Sequence, residues 1–245
     1  MAQLILVRHG ESLWNAAHRF TGWQDIDLSE RGVSEAHRAA SLLKADGLIP
    51  QVAFTSLLTR AIRTLFVVLD DLERLWVPVE KAWQLNERHY GDLEGKDKHV
   101  VSREYGEHQV ALWRRSYKIA PPPLDFEDSR HPRFDPRYRA WDPDQLPVGE
   151  SLEQTQKRVL PYWRSRILPS LTGDACVLVV AHGNSLRALI KELDGVGDDA
   201  ISQFNVPTGI PMLYDFGPEG RVAGHRFLGD AETTEAAISR VAQGT

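Results

Sequence analysis

The stretch Cys176-Val177-Leu178-Val179-Val180-Ala181 is apolar at every position and runs straight into His182-Gly183-Asn184. A strand with no polar face must be covered on both sides, which places it in the middle of a parallel sheet with helices above and below. Near the start of the chain Leu4-Ile5-Leu6-Val7 repeats the arrangement and ends in Arg8-His9-Gly10. Strand and helix patterns alternate between the two. Val33, Ala36, Ala40 and Leu43 fall at helical spacing between a capping Ser29 and Gly47, and residues 52–56 read as a strand. Leu58, Ile62, Leu65, Leu69 and Leu72 then form the apolar stripe of a second helix. Ser151 and Gln154 make a capping-box pair ahead of Val159, Trp163 and Ile167, with Pro161 interrupting the stretch. Leu186, Leu189, Ile190 and Leu193 continue as a helix, and residues 212–216 as a strand. The expected fold is α/β: a three-layer sandwich whose mostly parallel central sheet is flanked by helices on both faces.

At 245 residues, against roughly 150 per domain, the chain is expected to be a single domain over 1–245 carrying an insertion. The insertion spans about 95–150, and its irregular part, 121–147, holds seven of the fourteen prolines. The residues from about 230 to 245, rich in Ala, Glu and Thr, are expected to form a mobile tail. A composition of 42% hydrophobic and 26% charged residues excludes disordered, collagen-like and coiled-coil chains. The longest apolar run, 175–181, is too short to cross a membrane, and a net charge of -5 disfavours non-specific nucleic-acid binding. No secretory leader is evident, and a lone Cys176 rules out an internal disulfide, so a cytoplasmic location is the default expectation.

In a parallel sheet the carboxyl ends of the strands share one edge, so His9 and His182 are expected to meet across 173 positions of sequence. Taken singly, each also reads as an ordinary turn histidine. Neither His-Glu-x-x-His nor paired cysteines appear, so a metal site is not expected. Arg8 and Arg60 would add two cations to the same rim, making an anion pocket suited to phosphate, although Arg60 alone also reads as a solvated helix residue. Gly10 and Gly183 would let backbone approach a ligand closely. A neutral imidazole among such arginines suggests a nucleophile that becomes phosphohistidine, and without a phosphate-binding glycine loop a nucleotide is not the expected donor. Ser12 and Asn15 would orient His9 or bond a phosphate oxygen, or merely start a helix. Glu87, in a cluster of titratable side chains, is placed as general acid and base, or as a surface carboxylate. On spacing alone, Lys98, Arg114 and Arg115 read as solvated faces.

The chain resembles the histidine phosphatase superfamily through Arg8-His9-Gly10 and His182-Gly183. Within it the chain is similar to the 2,3-bisphosphoglycerate-dependent phosphoglycerate mutases over nearly its whole length. The strings that carry the likeness are 6–15 (LVRHGESLWN), 20–23 (FTGW), 60–64 (RAIRT), 85–91 (LNERHYG), 113–115 (WRR), 135–138 (DPRY), 150–152 (ESL), 182–189 (HGNSLRAL) and 205–211 (NVPTGIP). The resemblance implies that His9 is phosphorylated during turnover, that Glu87 donates and accepts protons, and that His182, Arg8 and Arg60 stabilise the transferring phosphoryl group. It implies substrate contacts along the first turn, at Arg8, His9, Gly10, Glu11, Ser12, Leu13, Trp14 and Asn15, and at Thr21, Gly22 and Arg60. Further contacts follow at Glu87, Arg88, His89, Tyr90, Lys98, Arg114, Arg115, Gly183 and Asn184.

By the same resemblance, 3-phosphoglycerate and 2-phosphoglycerate are interconverted in glycolysis and gluconeogenesis, with 2,3-bisphosphoglycerate as primer and intermediate and no metal. A homo-oligomer, dimer or tetramer, is implied, with no nucleic-acid or membrane partner. The insertion and the tail are expected to help close the cleft. A histidine phosphatase or a bisphosphoglycerate synthase of the same superfamily is the alternative. A catalytically silent phospho-ligand binding protein is the reading from another class.

Overall fold

The computed structural model describes residues 1–217 and 220–242. Its six-stranded sheet comprises β1 (Ala2–Arg8), β2 (Val52–Thr55), β3 (Val79–Lys81), β4 (Cys176–Ala181), β5 (Met212–Phe216) and β6 (Val222–Phe227), in the order β3-β2-β4-β1-β5-β6. The apolar β4 lies between β2 and β1, parallel to both. β5 runs antiparallel to β1 and to β6, so the sheet is mixed rather than uniformly parallel. β3 and β6 have no counterpart in the sequence pattern, because β3 has only three residues and β6 is an edge strand exposed along most of its length.

The helices are α1 (Leu13–Ala16), α2 (Glu30–Ala45), α3 (Thr59–Asp71), α4 (Lys98–Tyr105), α5 (Glu107–Arg115), α6 (Leu152–Tyr162), α7 (Gly183–Asp194), α8 (Asp198–Gln203) and α9 (Ala231–Ala242). Alternation along the strands divides the core. Leu4, Leu6, Val177 and Val179 pack against α6, α7 and α8. Ile5, Val7, Leu178 and Val180 pack against Ala39, Ala40 and Leu43 of α2 and Leu65, Val68 and Leu69 of α3. Each such side chain contributes about 1.5–3 kcal/mol by leaving water, and the double layer fixes the carboxyl ends of β1 and β4. Ser29 caps α2 by accepting from the Gly32 amide, and Ser151 and Gln154 form the reciprocal cap of α6. Pro161 lacks an amide hydrogen, and just beyond it α6 widens into a π-helical turn over Trp163–Ile167.

Two parts of the chain differ from the sequence expectation. Residues 98–115, inside the expected insertion, fold as α4 and α5, which meet at Gly106; both helices bury too few apolar side chains to leave a stripe in the sequence. Residues 121–147 are irregular, with single turns opening on Pro132, Pro136 and Pro143. These turns lie against the site edge of the sheet, where Tyr138 stacks on Trp23 at 4.9 Å and accepts a hydrogen bond from Asn86 at 2.8 Å. The segment expected as a mobile tail forms α9, because Ala237 and Val241 supply it with a buried face; the rest of that segment, 243–245, lies outside the described residues. Among the described residues no helix is long and apolar enough to cross a membrane.

Candidate active site

β1 and β4 pair in register, Arg8 opposite Ala181, so His9 and His182 leave the sheet side by side. Their rings lie 4.9 Å apart, edge to face, and both are buried. His9 Nδ1 sits 2.6 Å from the Gly10 carbonyl oxygen. A carbonyl can only accept, so Nδ1 carries the proton and the lone pair of the neutral ring is on Nε2. Burial, then the Arg60 and Arg8 charges, hold the imidazole well below its ordinary range, so it is neutral at pH 7. His182 is lowered in the same way, by burial and then by Arg60 and His9. Its Nε2 bonds Ser56 Oγ at 2.8 Å.

Gly10 holds the turn against its surroundings. Its amide donates to Thr64 Oγ1 at 3.1 Å, and a Cβ there would come within 2.0 Å of the Gly32 carbonyl oxygen. Gly22, at φ 52°, adopts a left-handed conformation, and its carbonyl accepts from Arg60 Nη2 at 2.8 Å. Arg60 Nη1 donates to the Gln24 carbonyl at 2.9 Å, so a cation is fixed in the first turn of α3 despite the helix dipole. Burial brings that guanidinium down to about 10, still charged at neutral pH. Arg8 Nη1 donates to the Val206 carbonyl at 3.0 Å, and its buried Nε has no partner among the described residues.

The cavity beside His9 is lined by Arg8, Asn15, Thr21, Gly22, Arg60, Glu87, Tyr90, Lys98, Arg114, Arg115, Gly183 and Asn184. Glu87 is the carboxylate of this wall, and its Oε1 accepts from the Arg88 amide at 2.8 Å and the Asn184 amide at 3.1 Å. The second of these amides belongs to the first turn of α7, where the helix dipole favours negative charge. Lys98, half-buried at the start of α4, is lowered to about 7 by burial and then by Arg114, Arg8 and Arg115. So many cations around one carboxylate make a receptor for a multiply charged anion.

Several expected contacts do not reach the cavity wall. Leu13 is 53% exposed and points outward. Glu11 turns to Ser29 and Arg31, and the Trp14 ring lies beside Gly95. Ser12 caps α1 and bonds Asn15. Arg88 is fully buried behind the wall, stacked on Tyr90 at 4.7 Å and bonded to the Arg114 carbonyl at 2.8 Å. His89 is buried too and accepts from the Gly91 amide. His182 stands behind His9 rather than in the wall.

The structure adds Arg19, Phe20, Arg187, Phe204, Asn205, Val206 and Val241 to the lining. Arg187, lowered by burial to about 9, donates to Asn184 Oδ1 at 3.0 Å and to the Ile201 carbonyl. Its position three residues after Asn184, on one helix face, is a signal the sequence does carry. Arg115 donates to Asn205 Oδ1 at 2.6 Å and reaches the Val241 carbonyl at 3.5 Å, so α9 closes one side. Among the described residues no group of three or more His, Cys, Asp or Glu side chains is arranged to hold a metal ion.

A paired-histidine site at the carboxyl edge of an α/β sheet, ringed by arginines, defines a class of phosphoryl-transfer proteins. The family model of the histidine phosphatase superfamily (branch 1) matches residues 4–133 and 123–224, and the chain belongs to that superfamily. It is 54% identical over 245 residues, all of this chain and 98% of the other, to a Nitratidesulfovibrio vulgaris strain DP4 protein named 2,3-bisphosphoglycerate-dependent phosphoglycerate mutase. The protein of the same name from strain Hildenborough is 53% identical over the same span. Among solved structures, Bacillus stearothermophilus YhfR superposes with a TM-score of 0.67 at 25% identity, covering 91% of this chain and 94% of that one.

Proposed function

We propose that this chain interconverts 3-phosphoglycerate and 2-phosphoglycerate through a phosphorylated His9, primed by 2,3-bisphosphoglycerate, as a step of glycolysis and gluconeogenesis. One observation carries the reading: Lys98, Arg114 and Arg115 share the cavity with the Arg8, His9 and Arg60 group. A phosphoryl group alone is served by the arginines beside His9. The further cations suit a carboxylate and a second phosphate on the same small molecule. The resemblance to mutases along the whole chain supports the same conclusion.

The primer supplies the phosphoryl group that His9 first carries, and the buried Arg8 Nε, which has no partner among the described residues and belongs to a residue lining the cavity, fits its oxygens. From phospho-His9 the Nε2–P bond breaks as the C2 hydroxyl oxygen of 3-phosphoglycerate bonds phosphorus, and the Glu87 carboxylate takes the hydroxyl proton. Neutral His9 then attacks the 3-phosphoryl group. The bond between phosphorus and the C3 oxygen breaks, Glu87 returns its proton to that oxygen, and 2-phosphoglycerate leaves while His9 is phosphorylated again. Arg8, Arg60 and His182 stabilise charge on the transferring oxygens throughout.

The protein acts as one catalytic domain and assembles as a dimer or tetramer. Leu75 and Trp76, exposed just ahead of the edge strand β3, support the latter. An enolase-coupled assay tests the activity. Phosphoenolpyruvate should appear from 3-phosphoglycerate, be stimulated by bisphosphoglycerate, and vanish in His9→Ala. Release of inorganic phosphate alone, dependent on His9, would make the protein a phosphatase instead.

A further inference from the structure

Acid–base work by Glu87 requires its carboxyl to be held against the reacting oxygen, yet the segment that carries it has only one 3-10 turn of its own, Trp83–Leu85. Its backbone carbonyls have to find partners elsewhere. The Glu87 carbonyl accepts from Trp23 Nε1 at 2.6 Å, and the others, with Glu87 again, are met by Arg158, a residue of α6 that does not line the cavity. Arg158 Nη1 donates to the carbonyls of Gln84 at 2.7 Å, Asn86 at 3.1 Å and Trp83 at 3.4 Å, and Nη2 donates to the carbonyl of Glu87 itself at 2.9 Å.

The rest of the guanidinium goes to Glu150. Nε meets Oε1 at 2.7 Å and Nη2 meets Oε2 at 2.9 Å, in a bidentate pair whose side chains are 8% and 5% exposed. Glu150 Oε2 also accepts from the His89 amide at 2.8 Å. One buried ion pair therefore grips the carbonyls of Trp83, Gln84, Asn86 and Glu87, and the amide two residues beyond Glu87. A buried pair of this kind contributes little net stability compared with apolar residues of the same volume, whereas its planar fork fixes geometry.

We propose that Arg158, held by Glu150, is a positioning residue that sets the Glu87 carboxyl for proton transfer. The proposal rests on the acid–base reading of Glu87 given above and deepens it. Wild type, Arg158→Lys, Glu150→Gln and Glu87→Gln are compared in two assays. The first is kcat and KM for 3-phosphoglycerate with bisphosphoglycerate. The second is the burst of p-nitrophenolate released from p-nitrophenyl phosphate as His9 is phosphorylated. That leaving group departs without a proton, so the burst does not need Glu87.

Arg158→Lys should lower kcat about 100-fold, as expected when a reacting group is misplaced by about 1 Å, with KM and the burst rate nearly unchanged. Glu150→Gln, nearly the same shape, should show the same split more weakly, and it carries the test if Arg158→Lys does not fold. Equal loss in both assays, or no loss of kcat in either variant, overturns the proposal. Glu87→Gln separates the two levels. If it shows no split, the acid–base reading of Glu87 fails; if it alone shows the split, only the positioning proposal fails.

Discussion

Lys98 offers a quantitative test of the electrostatics. Burial and the neighbouring Arg114, Arg8 and Arg115 charges bring its ammonium down to about 7. If the anionic substrate binds the protonated form, KM scales as one plus the ratio of neutral to charged lysine, which gives a rise of about fivefold between pH 7 and pH 8. The phosphate of the substrate, with a second ionisation near 6, is largely dianionic by pH 7 and does not mask the effect. Lys98→Met keeps the stem and removes the charge. Losing a charge-assisted bond of about 1.5–3 kcal/mol raises KM at pH 7 by about 6- to 80-fold, since half of the wild-type lysine is already neutral there, and abolishes the pH trend. Stability moves the other way. The folded value lies below the unfolded one, so the unfolded chain binds this proton more tightly; the Lys98 charge destabilises the fold at pH 7 and below, and that cost fades as pH rises toward about 10.5. Lys98→Met should therefore resist urea better than wild type at pH 6. The assay is the enolase-coupled KM at each pH, and a KM flat from pH 7 to 8, or rising equally in the variant, would refute the reasoning.

Gly10→Ala sets a Cβ within 2.0 Å of the Gly32 carbonyl, backbone against backbone, and should cost about 1–3 kcal/mol in urea unfolding together with most of the activity. Gly183→Ala, whose nearest contacts are ordinary at 3.5 Å, should fold normally; equal destabilisation by the two changes would contradict the packing argument. Residues 121–147 and α9 should gain protection from proteolysis when bisphosphoglycerate is added, and cleavage at an unchanged rate would count against their closing the cleft.

The histidine pair was legible because its signal is local: an apolar run that ends in His-Gly marks a strand's carboxyl end, and parallel pairing brings two such ends together. The major helices were legible for the same reason, through the spacing of residues such as Leu65, Leu69 and Leu72. What was not legible is tertiary. Asn205 and Val241 enter the wall through Arg115, 90 and 126 positions away; Asn205 opens the string 205–211, which marks the family and not a contact, and nothing near Val241 marks it. Leu13 and Trp14 are the opposite case: they share a string with His9 and Asn15, but on the short helix α1 neither lines the cavity. The edge strand β6 alternates no apolar face, since its middle residues Ala223 to Arg226 are all exposed.

The central claim is that His9, with Nδ1 tied to the Gly10 carbonyl, carries the phosphoryl group on Nε2. The most direct measurement is to incubate the protein with 2,3-bisphosphoglycerate, quench in alkali, and locate the label by peptide mass spectrometry and phosphorus NMR. Phosphorylation of His9 at Nε2, absent in His9→Ala, is the predicted result. Label at Nδ1, on His182, or nowhere would contradict it.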